Sequence, residues 1–181
     1  MSHPEPIKSA LVILVPEAEA LVGSLRLQFD VSAQSGLAAH VTVLFPFRAT
    51  DHLSSVEASR LRAIFALHRP FSFSLGEVQR FPGVVYLPVE PAEPCSALTR
   101  ATVEAFPDCP PYGGAFSEPV PHVTIGQGLS PEASEEVSGE LQRLMPATSA
   151  IVCQVREVAW VFKRRGRWSV GERFPLLVDA A

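Results

Sequence analysis

Two stretches of this chain carry one pattern, His40-Val41-Thr42-Val43 and His122-Val123-Thr124-Ile125. Each reads His, β-branched apolar, Thr, β-branched apolar. With average residue usage, two such tetrapeptides meet by chance in roughly one chain in several hundred of this length. Side chains alternate along a strand, so His40 and Thr42 share one face, as do His122 and Thr124, while the valines and the isoleucine enter a core. Histidine titrates near neutrality, so of two rings flanking one atom a neutral one accepts a proton and a protonated one donates. Two threonine hydroxyls can donate to the non-bridging oxygens of an anion. Acid, base and two oxygen ligands suffice for metal-free phosphodiester cleavage. A ribose 2′,3′-cyclic phosphate suits such a site, with water attacking phosphorus on one side and an alkoxide leaving on the other.

The remaining candidates lack this mutual support. A catalytic zinc takes three protein ligands. The motif strands offer two histidines, and the third candidate, Glu118, shares the strand parity of His122 in a stretch that Pro119 and Pro121 make irregular. No metal and no cofactor are expected. His3 sits in a terminus, and His52 and His68 sit at the two ends of one predicted helix. Lys163-Arg164-Arg165-Gly166-Arg167 is the local basic run, either a solvated turn or an electropositive rim for RNA phosphates. Tyr112, Phe116, Trp160 and Trp168 are able to stack on a base, though such rings more often cover the core. Cys109 has no neighbouring base and reads as an inert thiol. No phosphate-binding Gly-x-x-x-x-Gly-Lys loop or Gly-x-Ser-x-Gly elbow occurs, and Gly126-Gln127-Gly128 meets Pro131 where a dinucleotide fingerprint needs its third glycine.

The elements that must position the motifs follow from periodicity. Strands are predicted over 8–15, Ala39–Phe45, Phe71–Leu75, Gly83–Val89, Pro121–Ile125, Ile151–Phe162 and Trp168–Leu177. Helices are predicted from Pro16 to about Asp30, over about 51–68, over Pro94–Phe106, and from Ser130-Pro131 to about Met145. Ser32 to Gly36 reads as a loop. The order strand–helix–strand–helix–strand thus occurs twice, with a further C-terminal strand, as a duplication would produce.

Composition bounds the partners. Of 181 residues 47% are apolar and 19% charged, enough for a sizeable core. The net charge of −4 argues against a protein held on nucleic acid by a broad basic surface. The apolar run Ala10 to Val15 is too short for a membrane span and lacks the shape of a signal peptide. Three cysteines without a Cys-x-x-Cys pair suggest no disulfide framework. A soluble, cytoplasmic protein is expected.

The paired motifs, read as His40-Val-Thr-Val-Leu-Phe-Pro-Phe47 and Pro121-His-Val-Thr-Ile-Gly126, resemble those of the two-histidine phosphoesterases, which include 2′,5′-RNA ligase-like proteins and 2′,3′-cyclic nucleotide phosphodiesterases. Phe81-Pro-Gly-Val-Val-Tyr-Leu87 resembles the strand between the motifs. The resemblance implies a single domain over 1–181 with lobes of about 1–80 and 81–181. It implies an α+β, bilobal, pseudo-twofold duplicated fold, with two antiparallel-rich sheets around a central cleft and helices outside. It implies a metal-independent enzyme acting on RNA ends or cyclic-phosphate nucleotides, with no membrane and no stable protein partner. His40 and His122 become the catalytic pair, His40 giving the proton to the leaving oxygen, and Thr42 and Thr124 bind substrate. Several relatives carry an arginine after the second motif, where this chain has Gly126-Gln127-Gly128; the resemblance leaves Lys163 to Arg167 to meet the phosphate charge instead. Two alternatives remain, an idle RNA- or nucleotide-binding module of the same fold and a metal-dependent hydrolase.

Overall fold

The alternation of the motif strands is realised at the middle of an antiparallel sheet, in a computed structural model that describes residues 7–145 and 150–177. His3 lies outside the described residues. The strands are β1 (Lys8–Leu14), β2 (His40–Leu44), β3 (Phe71–Leu75), β4 (Gln79–Phe81), β5 (Val84–Glu90), β6 (His122–Gln127), β7 (Ile151–Val155), β8 (Glu157–Arg164) and β9 (Arg167–Pro175). The helices are α1 (Pro16–Phe29), α2 (Val31–Gln34), α3 (Ser55–Phe65), α4 (Glu93–Ala105) and α5 (Pro131–Leu144).

Local chemistry accounts for the helix starts. Pro16 opens α1 with Glu17 and Glu19 in its first turn, where negative charge suits the exposed N–H groups. Ser54 and Glu57 form a reciprocal capping box on α3, and Ser130 caps α5 ahead of Pro131. The expected loop at Ser32 begins inside a helical turn, α2, because the Asp30 carboxylate accepts from the Ser32 N–H and caps it.

The strands follow one path, β7-β3-β5-β6-β2-β1-β8-β9, with β4 paired to β5, and the path curls into a half-barrel. The expected two sheets are its two halves, joined where β2 meets β6 at the single pair Val41↔Val123. The halves exchange strands: β3 pairs with β5 and β7, and β8 pairs with β1. A cut of the chain near residue 80 therefore does not coincide with the division of the sheet. The stretch expected as one strand, Ile151–Phe162, is two, broken at Arg156 where the chain crosses from one half to the other. β4 went unpredicted because all three of its residues are exposed and show no burial alternation.

One face of the sheet supplies Leu11, Ile13, Val41, Val43, Leu87, Val123 and Ile125 to the main core, packed against Val22, Leu25, Leu61, Leu98, Val137 and Leu141 of four helices. The other face carries a small apolar cluster of Ala10, Val12, Leu37, Ala159 and Val161. Beside that cluster the sheet turns polar.

Candidate active site

With Val41 opposite Val123, antiparallel pairing sets His40 opposite Thr124 and Thr42 opposite His122. The two valines are fully buried on the core face, and the four polar residues are half-buried on the other. They form a two-by-two tile with the histidines on its diagonal, a separation of roughly 7–8 Å that one phosphoryl group and its flanking oxygens can bridge. The structure thus brings all four expected residues together.

Both rings are held alike. Nδ1 of His40 lies 2.8 Å from the Ala38 carbonyl and Nδ1 of His122 lies 2.7 Å from the Val120 carbonyl. A carbonyl only accepts, so in each neutral ring Nδ1 carries the proton and Nε2 is left as the basic nitrogen. Burial pulls the His40 pKa down to about 4, opposed by the Ala38 carbonyl; Arg26 lowers it further, Asp30 raises it and His122 lowers it. Burial also lowers His122, opposed by the Val120 carbonyl.

Arg26, on α1, was not found from sequence, where it is one basic residue on an amphipathic helix. It is fully buried. Its Nε donates to the Thr124 carbonyl at 3.0 Å, Nη1 to Glu19 Oε2 at 3.1 Å and to the Leu37 carbonyl at 3.3 Å, and Nη2 to Asp30 Oδ2 at 2.5 Å. Glu19 Oε2 also accepts from the Ala39 N–H at 2.5 Å. One guanidinium and its carboxylates therefore fix the backbone just before His40 and at Thr124. Asp30 Oδ1 accepts from Gln127 Nε2 at 2.8 Å, so the residue that follows the second motif joins this network.

Tyr112 was weighed from sequence only as a stacking ring, and its place is more specific. It lies in a 3₁₀ turn, Pro111–Gly114, with φ 50° and ψ 36°, a left-handed conformation unusual for a non-glycine residue. Its N–H donates to the Phe45 carbonyl at 2.6 Å, and its phenol is in hydrogen-bonding contact with the Thr42 side chain. The sequence signal was Tyr112-Gly113-Gly114 after two prolines.

The other expectations sort plainly. Trp160 is a core residue, Trp168 packs on the small cluster, and Phe116 is exposed against Tyr112. Arg164 pairs with Asp51 at 2.7 Å, and Lys163 stands opposite Trp168 in the β8–β9 ladder. Glu118 precedes β6 and, with Glu93 and Arg100, lines a depression of about 390 Å³ against α4. Among the described residues no three His, Cys, Asp or Glu gather as a metal cluster. Cys109 is buried, donates to the Phe47 carbonyl, and burial raises its thiol pKa. His52 is exposed beside Asp51, and burial lowers His68. Among the described residues no helix is long and apolar enough to cross a membrane.

A fold and a paired-histidine tile of this kind define a class, and comparison with known proteins agrees. The profile of the 2′-5′ RNA ligase superfamily matches residues 14–166, and the chain belongs to that family. A candidate phosphoesterase of Bacillus pumilus (strain SAFR-032) is 30% identical over 137 residues, covering 72% of this chain and 77% of that protein. Escherichia coli LigT, solved with NADP+, superposes with a TM-score of 0.58 at 18% identity, covering 96% of this chain and 99% of that one. The TT0787 protein of Thermus thermophilus gives 0.55 at 18% identity, covering 97% and 100%. The family supports phosphoesterase activity in general.

Proposed function

We propose that the chain hydrolyses 2′,3′-cyclic phosphate or 2′,5′-linked ribonucleotide or RNA ends without a metal, in the cytoplasm, and that the same site joins ends when a ribose 5′-hydroxyl replaces water as the nucleophile on a cyclic phosphate. The observation that carries this reading is the tile itself, two imidazoles on a diagonal with both Nδ1 atoms tied to carbonyls and two threonines between them. The Nε2 of one neutral ring takes a proton from water as the water oxygen bonds to phosphorus. The P–O bond to the ribose 2′ or 3′ oxygen breaks, and the other ring, protonated, delivers its Nε2 proton to that oxygen. Thr42 and Thr124 donate to the non-bridging oxygens.

The electrostatics favour His40 as the base, since burial and Arg26 keep it neutral to about pH 4. His122 has no cation among the causes of its shift and serves as the acid. This reverses the division that the family resemblance implies.

The test is hydrolysis of a 2′,3′-cyclic mononucleotide in excess chelator by wild type, His40→Ala and His122→Ala. Turnover by wild type alone upholds the two-histidine chemistry. Turnover restored only by added zinc or manganese moves the assignment to a metal-dependent hydrolase. Stoichiometric binding without turnover leaves an idle binding cleft.

A further inference from the structure

His122 is walled by aromatic rings. Phe81 stacks on Tyr86, with ring centroids 4.2 Å apart and planes 20° from parallel. Both present themselves to the imidazole, Phe81 at 5.6 Å and 78°, Tyr86 at 5.0 Å and 59°. Tyr86 is buried, opposite Thr124 in the β5–β6 ladder and so on the tile side of the sheet. Phe81 is 38% exposed although it is large and apolar.

The exposure of Phe81 is built rather than incidental. Phe81 ends β4, the short strand of exposed residues, and the chain then turns through Pro82 and Gly83 into β5. Gly83 has φ +71°, which a Pro-Gly turn requires and which glycine adopts at little cost. The Gly83 carbonyl accepts from the Leu129 N–H at 3.0 Å, which ties the turn to the chain beyond β6. The hairpin holds one solvent-exposed ring at van der Waals stacking distance over a buried one, beside a reactive imidazole.

From this juxtaposition of Phe81, Tyr86 and His122 we infer a nucleobase platform: the base of the substrate stacks on the outer face of Phe81 as the third ring of a base–Phe81–Tyr86 stack. This rests on the phosphoesterase reading for the identity of the anion in the tile. The distance fits, because in a nucleoside 2′,3′-cyclic phosphate one furanose ring separates the reacting oxygens from the base. A π-face accepts every base, so the platform confers a preference for nucleotides over base-free cyclic phosphates rather than for one base. Among the described residues no comparable ring contact is made by His40, whose neighbour on β1 is Leu14. The base therefore lies on the His122 side.

The experiment compares ligands with and without a base on wild type, Phe81→Ala and Phe81→Trp. Affinities for adenosine 3′-monophosphate and for inorganic phosphate are measured by calorimetry. Rates are measured on adenosine 2′,3′-cyclic phosphate and on ribose 2′,3′-cyclic phosphate. Thermal unfolding confirms that each variant is folded. For Phe81→Ala the expected loss is about 5- to 100-fold in adenosine monophosphate affinity, the range of a single base–aromatic stack. Its phosphate affinity should stay within about twofold of wild type on the same argument, and Phe81→Trp should keep nucleotide binding.

Several results would overturn the platform: wild type binding both ligands equally or neither, Phe81→Ala losing both in parallel, or Phe81→Ala binding both as wild type does. Failure of the catalytic reading looks different. Base-dependent binding that Phe81→Ala abolishes, with no turnover of either cyclic substrate, upholds the platform and removes the hydrolase. Turnover of both substrates at equal kcat/KM, unchanged in Phe81→Ala, does the reverse.

Discussion

His40 and His122 share a motif, a strand pairing and a backbone lock, yet their surroundings differ in kind. Behind His40 lies a charged network, with Arg26 held by Glu19 and Asp30 in the interior. Around His122 lie the rings of Phe81 and Tyr86. A symmetric tile thus has one ring buried beside a charged network and one set among aromatics, the kind of difference that the proposed division of base and acid between two chemically identical groups requires.

The sharpest way to break the comparison is to remove either ring. His40→Ala or His122→Ala should each lower kcat by on the order of 10²–10⁴, and the double variant should fall little further, because the rings act on one proton path. Additive losses, measured on one substrate, would mean that the rings act independently.

Arg26→Met comes next, since it leaves Asp30 buried without its cation. A loss of about 3–5 kcal/mol in unfolding free energy is expected by denaturant titration. Because Arg26 lowers the His40 pKa and Asp30 raises it, the His40 titration should also move to higher pH in this variant. The corresponding NMR signal of His122 should move much less.

The pH profile separates the two rings directly. In the proposed division His40 must be neutral, so kcat/KM is expected to fall as pH falls through about 4. In the same division His122 must be protonated, and its pKa is lowered from 6.5, so activity is expected to fall as pH rises through a value below 6.5. An optimum above neutrality in kcat/KM would refute this assignment. Stability carries the same signature: a folded-state pKa below the unfolded one gives a contribution present above pH 6.5 and lost as pH falls toward 4. For the half-buried His40 it amounts to at most about 3 kcal/mol.

The smallest effect tests the threonines. Thr42 is buttressed by the Tyr112 phenol, whereas Thr124 is placed through its own backbone carbonyl. Tyr112→Phe should lower kcat by about three- to tenfold with KM nearly constant, the cost of one lost hydrogen bond. A rise in KM alone would assign Tyr112 to binding.

The tile was legible because its signal is local. His40, Thr42, His122 and Thr124 alternate with buried Val41, Val43, Val123 and Ile125, and a period of two places side chains before any neighbour is known. The Ser130 cap was legible for the same reason. The break at Arg156 was not: Arg156-Glu157 interrupts the alternation with two polar residues in succession, but no local pattern says that β7 pairs with β3 while β8 pairs with β1. Arg26 gave no signal in the sequence, since the distant carbonyls it donates to, those of Thr124 and Leu37, come to it only in the folded chain.

By itself, then, the sequence determined the faces of the two motif strands, the repeated polar pair and the ends of α1, α4 and α5 to within about a residue, all of which follow from interactions a few residues long. Tertiary structure alone decided that the two pairs meet across β2 and β6, that a buried guanidinium stands behind one histidine, and that Phe81 and Tyr86 wall the other. Those contacts join residues distant in the chain, and their geometry is set by how the helices and exchanged strands bury their apolar faces.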